Sequence, residues 1–155
     1  MPKLIEQMTA DQLLMACESS KIGTFAFDID KNETRWNSVL RHLMGYNDVE
    51  EITLDRYLDQ VDSGDVVIIR KRIDKILTGE VTEYVAEYRV TPIGSDKVMW
   101  VRATGRVYPG THIMYGIIID ISEGKAQIKY LLDLLRNTES SKEQIQSFIE
   151  QIRVL

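Results

Sequence analysis

Residues able to make or break bonds are few in this sequence. Cys17 is the only cysteine, and His42 and His112 are the only histidines. Nucleophilic catalysis needs a nucleophile activated by a nearby base. Cys17 falls on an N-terminal helix with no histidine close in sequence, so it reads as a buried packing thiol. A metal centre needs clustered ligands, whereas His42 lies on a short helix and His112 at a strand start, so both read as exposed or structural. The basic run Arg70-Lys71-Arg72 is surrounded by acids and reads as a solvated helix face. A net charge of -5 gives no reason to expect nucleic acid, which needs a basic face. The chain therefore reads as non-enzymatic, with no catalytic and no metal-ligating set.

The elements that would position binding residues follow from periodicity. Thr9-Ala-Asp-Gln12 is a capping-box pattern opening a helix to about Ser19. Ile22 to Ile29 alternates as a strand, Asp30-Lys-Asn-Glu33 is a turn, and Thr34 to Asn37 returns as a hairpin. Asn37 or Ser38 caps a helix over Val39–Met44 that Gly45 ends. Helical turns are expected at Asp48–Ile52 and Leu54–Val61. Asp62-Ser-Gly-Asp65 reads as a break before a stronger helix, Val66–Thr78, with an apolar stripe of Val66, Ile69, Ile73, Ile76 and Leu77. Three strands follow: Thr82–Thr91, Val98–Tyr108 and His112–Ile121. The last is apolar on both faces, as a central covered strand would be.

That strand ends in Tyr115-Gly-Ile-Ile-Ile-Asp-Ile-Ser-Glu-Gly-Lys125 and passes without a linker into a helix. Ser122 reads as its N-cap and Glu123 suits its dipole. Such a junction belongs to signal modules more than to catalysts. In heptads, the a and d places are Ile121, Gly124, Ile128, Leu131, Leu135, Thr138, Lys142, Ile145, Ile149 and Ile152. Polar Asn137-Thr-Glu-Ser-Ser141 interrupts them, so the tail is either one imperfect coiled coil or two helices with a hinge.

With 155 residues, 44% hydrophobic and 28% charged, the chain suits one globular domain plus a helical extension. A lone cysteine fits a reducing compartment. No apolar run reaches membrane-span length and the N-terminus lacks a signal-peptide core, so the expected location is cytoplasmic, with no membrane insertion in this segment.

The order of these elements resembles the PAS domain over roughly Leu13 to Lys125. The pieces are Gly23-Thr-Phe-Ala-Phe-Asp28, Trp36-Asn37, Leu43-Met-Gly-Tyr46, Glu87-Tyr-Arg-Val90, Gly94-Ser95, Trp100-Val-Arg-Ala103 and Gly116-Ile-Ile-Ile-Asp-Ile-Ser-Glu-x-Lys125. The last is similar to the family's Asp-Ile-Thr junction. Asp62-Ser-Gly-Asp65 replaces the His-Pro-Asp-Asp of many relatives. The resemblance implies an α+β fold: a five-stranded antiparallel sheet with helices on one face, an N-terminal helical cap over 1–20, a core over 21–122, and a C-terminal signalling helix or hairpin over 123–155.

It also implies a ligand pocket on the concave face, formed by Phe25, Phe27, Trp36, Asn37, Ile69, Ile73, Tyr84, Tyr88, Val101, Ala103, Gly116 and Ile118. The Tyr84 and Tyr88 hydroxyls and Asn37 would be its polar anchors. The same residues would equally build a packed core without ligand. No carboxylate or histidine faces this side, so general acid–base catalysis lacks its parts. No cofactor is required by the sequence. The Gly-x-Asn-Cys-Arg motif of flavin-bonding relatives is absent, and the long helix lacks the axial histidine of haem-binding ones; a flavin or haem sensor is the alternative, and a ligand-free interaction domain another. Asp120 and Ser122 are the expected coupling residues. The outer face, with Leu13, Leu14, Trp100, Ile117, Ile119, Ile128, Leu131 and Leu135, is expected to be covered by the N-terminal helix and a second subunit in a homodimer. A downstream output domain or partner protein completes the expectation, and its identity is open.

Overall fold

A computed structural model of the chain describes residues 9–137. Helix α1 (Ala10–Ser19) opens with a reciprocal cap. Gln12 N donates to Thr9 Oγ1 at 3.2 Å, and Thr9 N donates to Gln12 Oε1 at 2.9 Å. Two orphan donors are thereby satisfied. Strands β1 (Gly23–Asp28) and β2 (Glu33–Trp36) form a hairpin, whose turn residue Asn32 sits at φ 54°. Asn32 tolerates this conformation, and its Oδ1 accepts from Leu54 N at 3.1 Å, which ties the hairpin to the next layer.

Helix α2 (Ser38–Met44) ends at Gly45, which has φ 87°. A Cβ there would stand 2.3 Å from the Ile93 carbonyl oxygen, so only glycine fits. The expected turn over Asp48–Ile52 is not helical. Asn47 Oδ1 accepts from the amides of Val49 and Glu50, and Arg41 Nη1 donates to the carbonyls of Asn47 and Glu50. Side chains thus satisfy the backbone that helical bonds would otherwise serve. Helix α3 (Leu54–Leu58) is shorter than the expected Leu54–Val61, and Val61 instead bridges to Val90.

Helix α4 (Ser63–Leu77) starts three residues before the expected Val66. Asp62 is its cap, accepting from Gly64 N at 3.0 Å, so Asp62-Ser-Gly-Asp65 is a helix start and not a break. Strands β3 (Glu83–Val90), β4 (Met99–Val107) and β5 (Ile113–Asp120) complete one antiparallel sheet in the order β2-β1-β5-β4-β3. β5 is central, paired to β1 and β4. At its middle Gly116 lies opposite Gly105. A Cβ on Gly116 would fall 2.1 Å from Thr104 O and 2.7 Å from the Phe25 ring.

One face of the sheet buries Phe27, Tyr84, Ala86, Tyr88, Val90, Val101, Ala103, Met114 and Ile118. Leu40 and Met44 of α2, Tyr57 and Leu58 of α3, and Ile69, Ile73 and Ile76 of α4 join them in one cluster. The five-stranded antiparallel α+β architecture is as expected. The other face leaves apolar side chains exposed in the single chain. Ile117 is 36% exposed, Tyr115 53% and Val85 47%, while Leu13 of α1 is 47% exposed. Cys17 is half-buried, not a sealed core thiol.

The chain divides into two compact units between Asp120 and Ile121. Helix α5 (Ser122–Asn137) belongs to the second. Lys125 N donates to Ile121 O at 3.1 Å, which places Ile121 at the cap position and Ser122 inside the first turn. The expected Ser122 N-cap is thus shifted by one residue. The heptad places from Thr138 to Ile152, and the hairpin alternative, lie outside the described residues. Among those described, no helix is long and apolar enough to cross a membrane.

Candidate functional site

Between α3, α4 and the concave face lies a cavity of about 60 Å³. Strand periodicity builds one wall, since alternate residues of each strand point the same way. Phe25 and Phe27 come from β1, Thr34 and Trp36 from β2, Tyr84 and Tyr88 from β3, Ala103 from β4, and Met114 and Ile118 from β5. Leu54, Tyr57 and Leu58 of α3, with Ile69 and Ile73 of α4, build the other wall.

An aromatic cluster shapes one end. Trp36 meets Tyr46 edge-on at 5.4 Å and Tyr57 at 5.1 Å between ring centres. These are preferred aromatic geometries. Trp36 Nε1 donates to Thr34 Oγ1 at 3.0 Å, and Thr34 Oγ1 donates to Ala26 O at 3.1 Å. Tyr46 is anchored by its hydroxyl to Gln60 Oε1 at 2.5 Å, with the Arg56 guanidinium over its ring at 4.7 Å. Within the cavity wall the Tyr57 and Tyr88 hydroxyl oxygens lie 2.7 Å apart. Burial pushes the pKa of Tyr57, Tyr84 and Tyr88 upward, so all three phenols stay neutral.

Of the sequence-derived pocket residues, Phe25, Phe27, Trp36, Ile69, Ile73, Tyr84, Tyr88, Ala103 and Ile118 line this cavity. Three do not. Asn37 spends its amide on the backbone: Oδ1 accepts from Leu40 N and Thr24 N, and Nδ2 donates to Ile22 O. It is a helix cap joined to β1, not a ligand anchor. Val101 is wholly buried in the core cluster. Gly116 is roofed by the Phe25 ring, so its contribution is to let that ring approach. Tyr57, Thr34, Leu54, Leu58 and Met114 were not anticipated. Met114 and Thr34 had a local signal in strand alternation, in phase with Ile118 and Trp36, and Tyr57 had one as an aromatic in a helical turn after a Thr cap.

One charged cluster stands beside the cavity helix. Asp65, 8% exposed, accepts from Arg89 N at 2.9 Å and Nε at 3.0 Å on Oδ2, and from Nη2 at 3.2 Å on Oδ1. Arg89 also reaches Asp62 at 3.2 Å, and its guanidinium lies over the Trp100 ring at 5.4 Å. The start of α4 is thereby clamped to β3. The hydrogen bond from Arg89 holds the Asp65 carboxyl below the usual carboxylate range, with burial opposing. Trp100, expected on the dimer face, is half-buried under that guanidinium. Ile119 and Leu131 are half-buried and Ile128 is exposed; the side chains of Leu14 and Leu135 lie outside the description. Asp120 and Ser122 each take part in interactions of their own.

The histidines stand apart from the cavity. His42 pairs with Asp48 at 3.7 Å and His112 Nδ1 with Asp30 at 3.0 Å, both at exposed positions. Among the described residues no three His, Cys, Asp or Glu side chains gather as a metal site. The lining contains no histidine or cysteine that could ligate a haem iron or bond a flavin. A cavity of about 60 Å³ is far below the roughly 300–1,000 Å³ of pockets for ligands of drug size.

No family model and no curated protein matches the chain. Solved structures do match. A sensory box histidine kinase/response regulator from Burkholderia thailandensis E264 is similar with a TM-score of 0.60 at 19% identity, over 92% of this chain and 98% of that one. The N-terminal domain of a diguanylate cyclase with PAS/PAC sensor from Marinobacter aquaeolei gives 0.58 at 13% identity, over 67% and 98%. The PAS domain of a Colwellia psychrerythraea protein gives 0.56 at 17% identity, over 73% and 97%. The fold of this chain is the PAS fold.

Proposed function

We propose that this chain, built on the PAS fold, is a non-enzymatic sensory module that takes a small ligand in its cavity and passes the change to α5. One observation carries the reading. β5 lines the cavity with Met114 and Ile118, and the same strand ends at Asp120, immediately before the segment that opens α5. A ligand that displaces Ile118 acts on a strand held by ladders on both sides. Packed interiors respond to such strain by moving between arrangements and not by compressing. The names of the Burkholderia and Marinobacter proteins, a sensory box kinase and a cyclase with a PAS/PAC sensor, support the same role. An output domain or partner protein would then read the helix, in a homodimer joined through the outer sheet face.

A second reading, a constitutive interaction domain with a packed core, draws support from the cavity's small volume. One experiment separates them. A small-molecule panel is screened by thermal shift, where a ligand at one hundred times its Kd adds roughly 2.7 kcal/mol. A binder should also change amide exchange across Ser122–Asn137. Asp120→Ala with Ser122→Ala should abolish that exchange response while leaving the thermal shift. A saturating ligand with no effect on α5, or a full response in the double variant, would contradict the coupling.

A further inference from the structure

Three tyrosines line the cavity, and their hydroxyls share one hydrogen bond within the protein. Tyr57 is 6% exposed, Tyr88 2% and Tyr84 5%. The Tyr57 and Tyr88 oxygens share a single hydrogen bond of 2.7 Å, in which either can donate. A hydroxyl carries one proton, so whichever donates, the proton of the other is left over. Tyr84 makes no hydrogen bond among the described residues, though it lies on the same wall. Thr34, the remaining polar group of the lining, is committed to Ala26 O and Trp36 Nε1. A sealed donor without a partner costs about 1–3 kcal/mol. Among the described residues no sealed side-chain oxygen or nitrogen lacks a hydrogen bond, so the Tyr84 hydroxyl keeps contact with solvent, and the cost falls on the left-over proton of the Tyr57–Tyr88 pair.

The charge of a fitting molecule is constrained as strongly. No lysine, arginine, aspartate or glutamate lines the cavity. Arg72 acts on Tyr84 from outside the lining, its Nη1 committed to the Val85 carbonyl. An anion or cation entering the cavity would therefore lose hydration without a direct counter-charge, which costs more than burying a neutral polar group. The volume of about 60 Å³ is under half of a ~150 Å³ cavity that accepts benzene. Only a few heavy atoms fit without movement of α3, the five-residue helix that supplies Leu54 and Leu58.

We infer that the cavity recognises a small neutral molecule bearing a hydrogen-bond acceptor, a carbonyl above all, held by the spare proton of the Tyr57–Tyr88 pair with Tyr84 as a second donor. This rests on the reading of the cavity as a ligand site. The apolar walls favour the rest of the molecule being hydrocarbon, and the left-over proton of the Tyr57–Tyr88 pair selects against the hydrocarbon alone.

The test uses butanone, its isostere 2-methylbut-1-ene and the anion propionate, titrated against the whole chain with 13C-labelled methyls. The methyl signals of Ile69, Ile73, Met114 and Ile118 report binding. Butanone should shift them and propionate should not. In Tyr57→Phe with Tyr88→Phe, the affinity ratio of butanone to 2-methylbut-1-ene should fall at least tenfold. Tyr84→Phe, which breaks no bond within the protein, gives a second ratio that should also fall. If both uncharged molecules bind and neither ratio changes, the tyrosine assignment is overturned while the cavity remains a ligand site. Propionate binding as well as butanone would overturn the neutral class. If no uncharged molecule moves the methyl signals, the ligand-site reading falls and this inference with it.

Discussion

Tyr57 and Tyr88 meet across the boundary between a helix and a strand, thirty-one residues apart in sequence. Their hydroxyls share one hydrogen bond in a largely apolar wall, so removing one oxygen leaves the other with no partner in the protein. Tyr57→Phe or Tyr88→Phe alone should destabilise the protein by about 1–2 kcal/mol, and the double variant by less than the sum. Urea unfolding of the four proteins in the cycle checks this, and simple additivity would show that the oxygens act independently. Asn37 illustrates the opposite outcome. Its type suits a ligand anchor as well as a helix cap, and the choice depends on which backbone groups come within reach. Here the amides of Thr24 and Leu40 take its oxygen, and its nitrogen donates to the carbonyl of Ile22.

Elements impose their own constraints on the site. β4 and β5 approach closely at Gly105 and Gly116, and Phe25 rests on the gap. Gly116→Ala would push a methyl into the backbone of Thr104, which the ladder cannot yield without breaking. We expect a loss of more than about 2 kcal/mol, measured as a lowered denaturation midpoint; a near-neutral variant would show that the strands can part. α4 depends on a different device, since its cap Asp62 and its first-turn Asp65 are both held by Arg89 of β3. The cavity residues Ile69 and Ile73 sit on the helix so clamped. After β5, Ile121 offers no side-chain acceptor at the helix start, which leaves the opening of α5 dependent on neighbouring groups.

Over the molecule as a whole, the clamp predicts an acid limit to stability. The folded carboxyl of Asp65 lies below its unfolded value of roughly 3.9, so its contribution is complete above that pH. It is lost as pH falls through the folded value. Asp65→Asn should cost about 1–3 kcal/mol at neutral pH and flatten the decline of Tm below about pH 4. An unchanged acid profile in that variant would assign the decline to other carboxylates. The outer face carries a second expectation. Val85, Tyr115 and Ile117 form exposed apolar surface on a central part of the sheet. Light scattering should find a dimer, and Ile117→Glu should shift it to monomer; a monomer at every concentration would remove the interface.

Alternation along β1, β3 and β4 was legible in the sequence because a strand's inward positions repeat every second residue. That period alone separated Tyr84, Ala86, Tyr88 and Val90 from their exposed neighbours, and the junction from β5 to α5 was equally plain. Helix starts were less legible. Asp62-Ser-Gly-Asp65 has the composition of a break, and only its placement against Arg89 makes it the cap of α4. The cavity's chemistry was hidden further. Tyr88 could be placed on the inward face from periodicity, but its partner Tyr57 comes from a helix joined to the sheet only through long-range packing. Local periodicity thus determined the strands and their faces. Tertiary structure decided which polar groups meet, because hydrogen bonding between distant residues depends on distances that no local pattern encodes.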